Sequence, residues 1–75
     1  MACGSVKWFN QVKGYGFIIP KENPGIGDIF VHVTDIKERS DRPLREGQHV
    51  HFELRQSDKG LRASDVIVHR DGNAR

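Results

Sequence analysis

Between Tyr15 and Val33 two strand-like segments carry a ring side chain at every second position. Tyr15 and Phe17 alternate with Gly16 and Ile18, and Phe30 and His32 alternate with Ile29, Val31 and Val33. Successive side chains of a β-strand point to opposite faces, so each segment has one aromatic face and one aliphatic face. A domain of 75 residues buries only about 60% of the surface its unfolded chain exposes. A close-packed interior of that size holds one of the two sets. Val6, Ile18, Ile29 and Val31 are sufficient to fill it, which leaves the rings for an outer surface.

The rest of the chain fits an all-β protein. Ser5 to Phe9 and Tyr15 to Ile19 are rich in β-branched and aromatic residues and read as a hairpin across Asn10–Gly14. Pro20 to Asp28 contains Asn-Pro and Pro-Gly steps that stop regular structure, and Ile29 to Val33 is a third strand. Thr34 to Gly47 is polar, charged and interrupted by Pro43. It reads as a long loop with room for one short helical turn after Thr34. Val50, Phe52 and Leu54 alternate with His49, His51, Glu53 and Arg55, the pattern of a strand with one buried and one wet face. After the turn at Ser57–Gly60, Leu61 to Val68 is a last strand carrying Ala63, Val66 and Val68. Five short strands without a long helix predict a small closed or nearly closed barrel, because closure removes exposed sheet edges. The reading is one domain over residues 1–70, with a disordered tail over 71–75.

Composition narrows the function. No apolar run reaches bilayer length, and Met1–Gly4 lacks the basic and apolar regions of a signal peptide, so a cytoplasmic location is expected. Cys3 is the only cysteine, which excludes an intramolecular disulfide and a cysteine-based zinc site. The net charge of +2 is too small to indicate a partner by itself. Its distribution says more: up to Pro20 the only charged side chains are Lys7 and Lys13.

Six Phe, Trp and Tyr residues occur in the chain, and all but Phe52 lie on the first three strands. Trp8 and Phe9 from the first strand join Tyr15, Phe17, Phe30 and His32 as candidates for one face. For a single aromatic residue, burial in a core is the ordinary outcome. A contiguous exposed set marks a binding surface. Flat rings stack on bases, and Lys7 and Lys13 beside them suit phosphates. His32 suits stacking or hydrogen bonding to a base edge. Gly14 and Gly16 are expected to leave the approach of a nucleic-acid strand unobstructed.

These residues resemble the cold-shock domain of bacterial cold-shock proteins and Y-box proteins. The resemblance rests on Gly4-Ser5-Val6-Lys7-Trp8-Phe9-Asn10, on Lys13-Gly14-Tyr15-Gly16-Phe17-Ile18 and on Asp28-Ile29-Phe30-Val31-His32. Leu44-Arg45-Glu46-Gly47-Gln48 with Val50 and Phe52 extends it across nearly the whole chain. It implies a small five-stranded antiparallel OB-fold barrel that binds single-stranded RNA or DNA, often as an RNA chaperone. It assigns Lys7, Trp8, Phe9, Tyr15, Phe17, Phe30 and His32 to the binding face. It implies no cofactor, no metal and no small-molecule substrate. Four departures stand out: Val33 and Asp41 at positions that are often aromatic, Leu61 where proline is usual, and a longer loop from Pro20 to Gly27. Fewer rings and an added acid imply weaker binding than in fuller-faced relatives.

An RNA-recognition motif shares the Lys-Gly-aromatic-Gly-Phe strand but places its two motifs in the opposite order and needs two helices that this chain lacks. A metal-dependent enzyme built on His32, His49, His51 and His69 lacks ligands at characteristic spacing. A protein-interaction barrel using the same rings is the alternative from another class. A monomer is expected, with Thr34–Gly47 as a hinge if strands exchange between chains.

Overall fold

A computed structural model describes residues 1–69; the expected tail over 71–75 lies outside the described residues. The strands are β1 (Ala2–Asn10), β2 (Tyr15–Pro20), β3 (Ile29–His32), β4 (His49–Ser57) and β5 (Gly60–Val68), and they close a barrel in the order β1-β2-β3-β5-β4. Each agrees with a segment expected from the sequence to within a few residues at its ends. No helix among the described residues is long and apolar enough to cross a membrane.

The expected antiparallel arrangement holds at the β1–β2, β2–β3, β4–β5 and β1–β4 seams, while β3 and β5 run parallel. Parity requires this. Strand direction cannot reverse at every seam around a ring with an odd number of strands, so one seam must be parallel. That seam falls between β3 and β5, where the chain has left the sheet through Val33–Gln48 and returned. It sets Phe30 opposite Arg62 and bridges Ile36 to Val66.

The interior is aliphatic with one ring: Val6, Ile18, Ile29, Val31, Ile36, Leu44, Val50, Phe52, Ala63 and Val66. Ile36 and Leu44 belong to the segment expected to be a polar loop. Their side chains anchor it, and single 3₁₀ turns at Val33–Asp35 and Arg39–Asp41 occupy it in place of the one turn expected. Leu54, expected to face inward, is 43% exposed. β4 pairs with β1 only from His49 to Phe52, so Leu54 lies where the β4–β5 hairpin runs beyond the closed wall.

Two bulges correct the simple alternation. Val6 pairs with Ile18 but Trp8 pairs with Phe17, so β1 spends two residues where β2 spends one. The extra residue at Lys7 reverses which face follows. Val6 points inward, and Trp8, two residues on, points outward. On β5, Ser64 and Ile67 oppose Glu53 and His51, with Asp65 between them at φ 51°. Asp tolerates that left-handed conformation better than most residues. The insertion lets Ala63 and Val66, three apart in sequence, both enter the core.

Candidate nucleic-acid interface

The reversal at Lys7 gathers the rings. Trp8, Phe17, Phe30 and Arg62 occupy consecutive positions across β1, β2, β3 and β5, and Tyr15 pairs with His32 one step along. Trp8 meets Tyr15 and Phe17 edge-on with ring centroids 5.6 and 5.2 Å apart. Phe30 lies 5.8 Å from both Tyr15, nearly parallel to it, and Phe17, edge-on to it. These spacings lie within the range that favours aromatic pairs. The four rings thus brace one another on the outer wall. Trp8 is 38% exposed and Tyr15, Phe17 and Phe30 are half-buried, whereas Phe52 inside the barrel is 0% exposed.

Phe9 is set apart from the other rings. Beyond the bulge its side chain turns inward and packs against the core. It borders a groove of about 710 Å³ beneath residues 40–46, alongside Leu44 and Val68. The two glycines also act differently from expectation. A Cβ on Gly16 would lie 2.3 Å from the Trp8 carbonyl oxygen and 2.7 Å from Phe9 Cα, so Gly16 makes room for β1 and not for a ligand. Gly14, at φ 76°, closes the β1–β2 turn, and its missing side chain leaves space for Val33. Asn10 shapes that turn: its Oδ1 accepts the Val12 and Lys13 N–H groups at 3.0 and 2.9 Å.

The cations differ in their surroundings. Lys7 Nζ donates to Asp28 Oδ2 at 2.9 Å in an exposed pair, a type of contact worth little in water. Lys13 projects from the exposed turn. His32 is fixed by a local box: its backbone N–H donates to Asp35 Oδ2 at 3.0 Å, and the Thr34 N–H donates to its Nδ1 at 3.2 Å. Thr34 Oγ1 also lies 2.9 Å from Nδ1, so both local contacts of the ring fall on Nδ1, and the tautomer that accepts there has its N–H at Nε2.

Arg62 is the residue the sequence did not reveal. Its Nε and one terminal nitrogen donate to the two Asp35 oxygens at 3.1 and 3.4 Å, and its guanidinium carbon lies 5.6 Å from the Phe30 ring centre. It extends the row of rings with a planar cation. Only the parallel β3–β5 seam brings Arg62 there, and nothing near Arg62 in sequence signals that contact.

Of the departures from the resemblance, the two at often-aromatic positions are both turned to the protein. Val33 packs against the core and Gly14, and Asp41 is 8% exposed. Neither supplies a ring, and the Asp41 carboxylate is withdrawn from the surface. His51, on the opposite side, hydrogen-bonds to Cys3 Sγ at 3.2 Å through Nδ1 and to His69 at 2.9 Å through Nε2. Its two nitrogens therefore face different partners. Among the described residues no three His, Cys, Asp or Glu side chains are placed to hold one metal ion.

A closed five-stranded barrel with rings and cations on its outer wall has the architecture of an OB-type barrel. Residues 2–69 match the family described as the 'Cold-shock' DNA-binding domain. The chain is 50% identical over 66 residues to "Probable cold shock protein A" of Mycolicibacterium smegmatis, an alignment covering 88% of this chain and 96% of that relative. It is 47% identical over 66 residues to "Major cold shock protein" of Micrococcus luteus, with the same coverage. "Cold shock-like protein CspE" of Escherichia coli is 47% identical over 65 residues, covering 87% of this chain and 91% of the relative. The chain belongs to the cold-shock domain family, whose members bind nucleic acid and are not enzymes.

Proposed function

We propose that the protein binds single-stranded RNA or DNA by stacking bases on Trp8, Tyr15, Phe17, Phe30 and His32, while Lys7 and Lys13 neutralise phosphates. The observation that carries this reading is the ring platform on the outside of an already filled barrel. Folding needs the aliphatic interior, and a second apolar face across three adjacent strands has no interior left to occupy. Each stacked base is worth about 1–3 kcal/mol by alanine substitution, with little dependence on base identity. Binding is accordingly broad in sequence and selective for unpaired bases.

A protein with that selectivity shifts RNA hairpins towards their open form, because it stabilises the single strand by mass action and leaves the duplex unassisted. This is the RNA-chaperone role. Val33 and the buried Asp41 supply no rings, so affinity is lower than in relatives with aromatic residues at both positions. Phe9 supports the site from inside through β1 and makes no base contact.

The test is a titration with oligothymidine or oligouridine at low salt while the fluorescence of Trp8, the only tryptophan, is followed. Stacking on the indole quenches it. An unchanged signal at high oligonucleotide concentration rules the reading out. Salt separates it from a protein-binding barrel: affinity for a single strand falls with log salt at a slope of about −0.7 per neutralised phosphate, and an apolar protein contact responds weakly.

A further inference from the structure

Resting on the stacking reading, we infer that Arg62 makes one subsite of the platform selective for guanine. Phe30, His32, Ser57, Lys59 and Arg62 are among the residues lining a cleft of about 470 Å³ where β5 meets the platform, and the Ser57 hydroxyl is spent on the Gly60 carbonyl, to which it donates at 2.8 Å. A base stacked on Phe30 enters this cleft. Its edge then meets a set of hydrogen-bond donors. Asp35 holds Arg62 by Nε and one terminal nitrogen, which commits one side of the guanidinium fork and leaves the remaining N–H groups for a ligand. His32 accepts at Nδ1 from Thr34, so its ring offers Nε2–H, and Lys59 is a donor only.

Such a rim suits a base that presents two neighbouring acceptors. Guanine does so with O6 and N7, the pair that arginine binds with two parallel hydrogen bonds. Adenine places an amino donor in that edge, where it confronts further donors. Pyrimidines offer a smaller face to Phe30. Asp35 is a positioning residue here: its side chain is 12% exposed, and it fixes the direction of the fork. Among the described residues the other rings have no cation in comparable contact, so selectivity is confined to one position of the bound strand.

The experiment uses short oligothymidines carrying one guanine, adenine or cytosine at successive positions, with Trp8 quenching as readout. The wild-type protein should prefer guanine to adenine at one position by about tenfold, the scale of one good bidentate base contact. Arg62→Gln should reduce that preference to less than about twofold, with a larger loss of affinity for the guanine-bearing oligonucleotide than for unsubstituted oligothymidine. Arg62→Lys, which keeps the charge and loses the fork, should behave the same way. Quenching by oligothymidine with no guanine-preferring position in the wild type overturns the inference and leaves stacking intact, and this arm needs no variant to fold. Equal weakening of every oligonucleotide by Arg62→Gln, with a shallower salt slope, makes Arg62 a phosphate contact and also overturns it. No quenching by any oligonucleotide removes the stacking reading and this inference together.

Discussion

The two halves of the barrel treat their outer faces differently. β4 and β5 follow the usual economy of a small domain: Phe52, Val50, Ala63 and Val66 face inward, and the outward positions of β4 are polar apart from Leu54, which lies on the hairpin beyond the closed wall. β1, β2 and β3 also fill their share of the interior, with Val6, Ile18, Ile29 and Val31, yet place Trp8, Tyr15, Phe17 and Phe30 outside. An apolar face that is not needed for the core exposes rings at a cost in solubility, and a ligand that covers them accounts for its presence. Phe52 and Phe30 are the sharpest pair. They are the same residue type on strands of one sheet, one fully enclosed and one on the wall.

That pair supplies the largest expected effect. Phe52→Ala opens a cavity in a core without spare contacts and should destabilise the domain by about 3–5 kcal/mol, read as a shift in the urea midpoint. The molecules still folded should bind oligothymidine. Gly16→Ala comes next. The added methyl collides with the β1 backbone at Trp8 and Phe9, and overpacking of this kind costs about 1–3 kcal/mol or more. Because Gly16 fixes the spacing of β1 to β2, both stability and quenching should suffer. If Gly16→Ala keeps its urea midpoint and loses only affinity, the glycine serves the ligand after all.

Phe30→Ala should invert the Phe52 result. Affinity should fall by about 1–3 kcal/mol, and stability should fall only by the part of the ring–ring contacts that is lost, about 0.5–1.5 kcal/mol each. Urea melts and fluorescence titrations of the two variants side by side decide it. A Phe30→Ala protein as unstable as Phe52→Ala would falsify the division into an inner and an outer aromatic class.

The same contrast explains what could be read from the sequence. Strand positions and the ring-bearing face follow from alternation, which is local, and β2 and β3 obey it without exception. β1 does not: the bulge at Lys7 is invisible to a period of two, so Trp8 and Val6, which alternation places together, separate, and Phe9 turns inward. On β5, Ala63 and Val66 share the core only through the insertion at Asp65. Arg62 was out of reach for another reason. Its partners Phe30 and Asp35 are 32 and 27 positions earlier, on the far side of a parallel seam, and no nearby residue signals that seam. Ile36 and Leu44 were hidden because two isolated apolar residues in a charged segment carry no period.

The smallest effect separates the two lysines of the ring-bearing half. Lys13 stands on an exposed turn whose shape is set by Asn10, and Lys7 is engaged by Asp28 at 2.9 Å. A phosphate must compete with that carboxylate for Lys7, and among the described residues no carboxylate pairs with Lys13. Lys13→Gln should therefore reduce the salt slope of oligothymidine binding by about 0.7, the contribution of one phosphate, with little change in base preference. Lys7→Gln should reduce it by less, because part of its charge is already neutralised when the strand arrives. The measurement is log affinity against log salt for the wild type and both variants. Equal slopes for the two variants would mean that the Lys7–Asp28 pair opens fully on binding, as the weak energy of exposed ion pairs allows. A steeper loss for Lys7 would place the phosphate path along β1 and away from the turn.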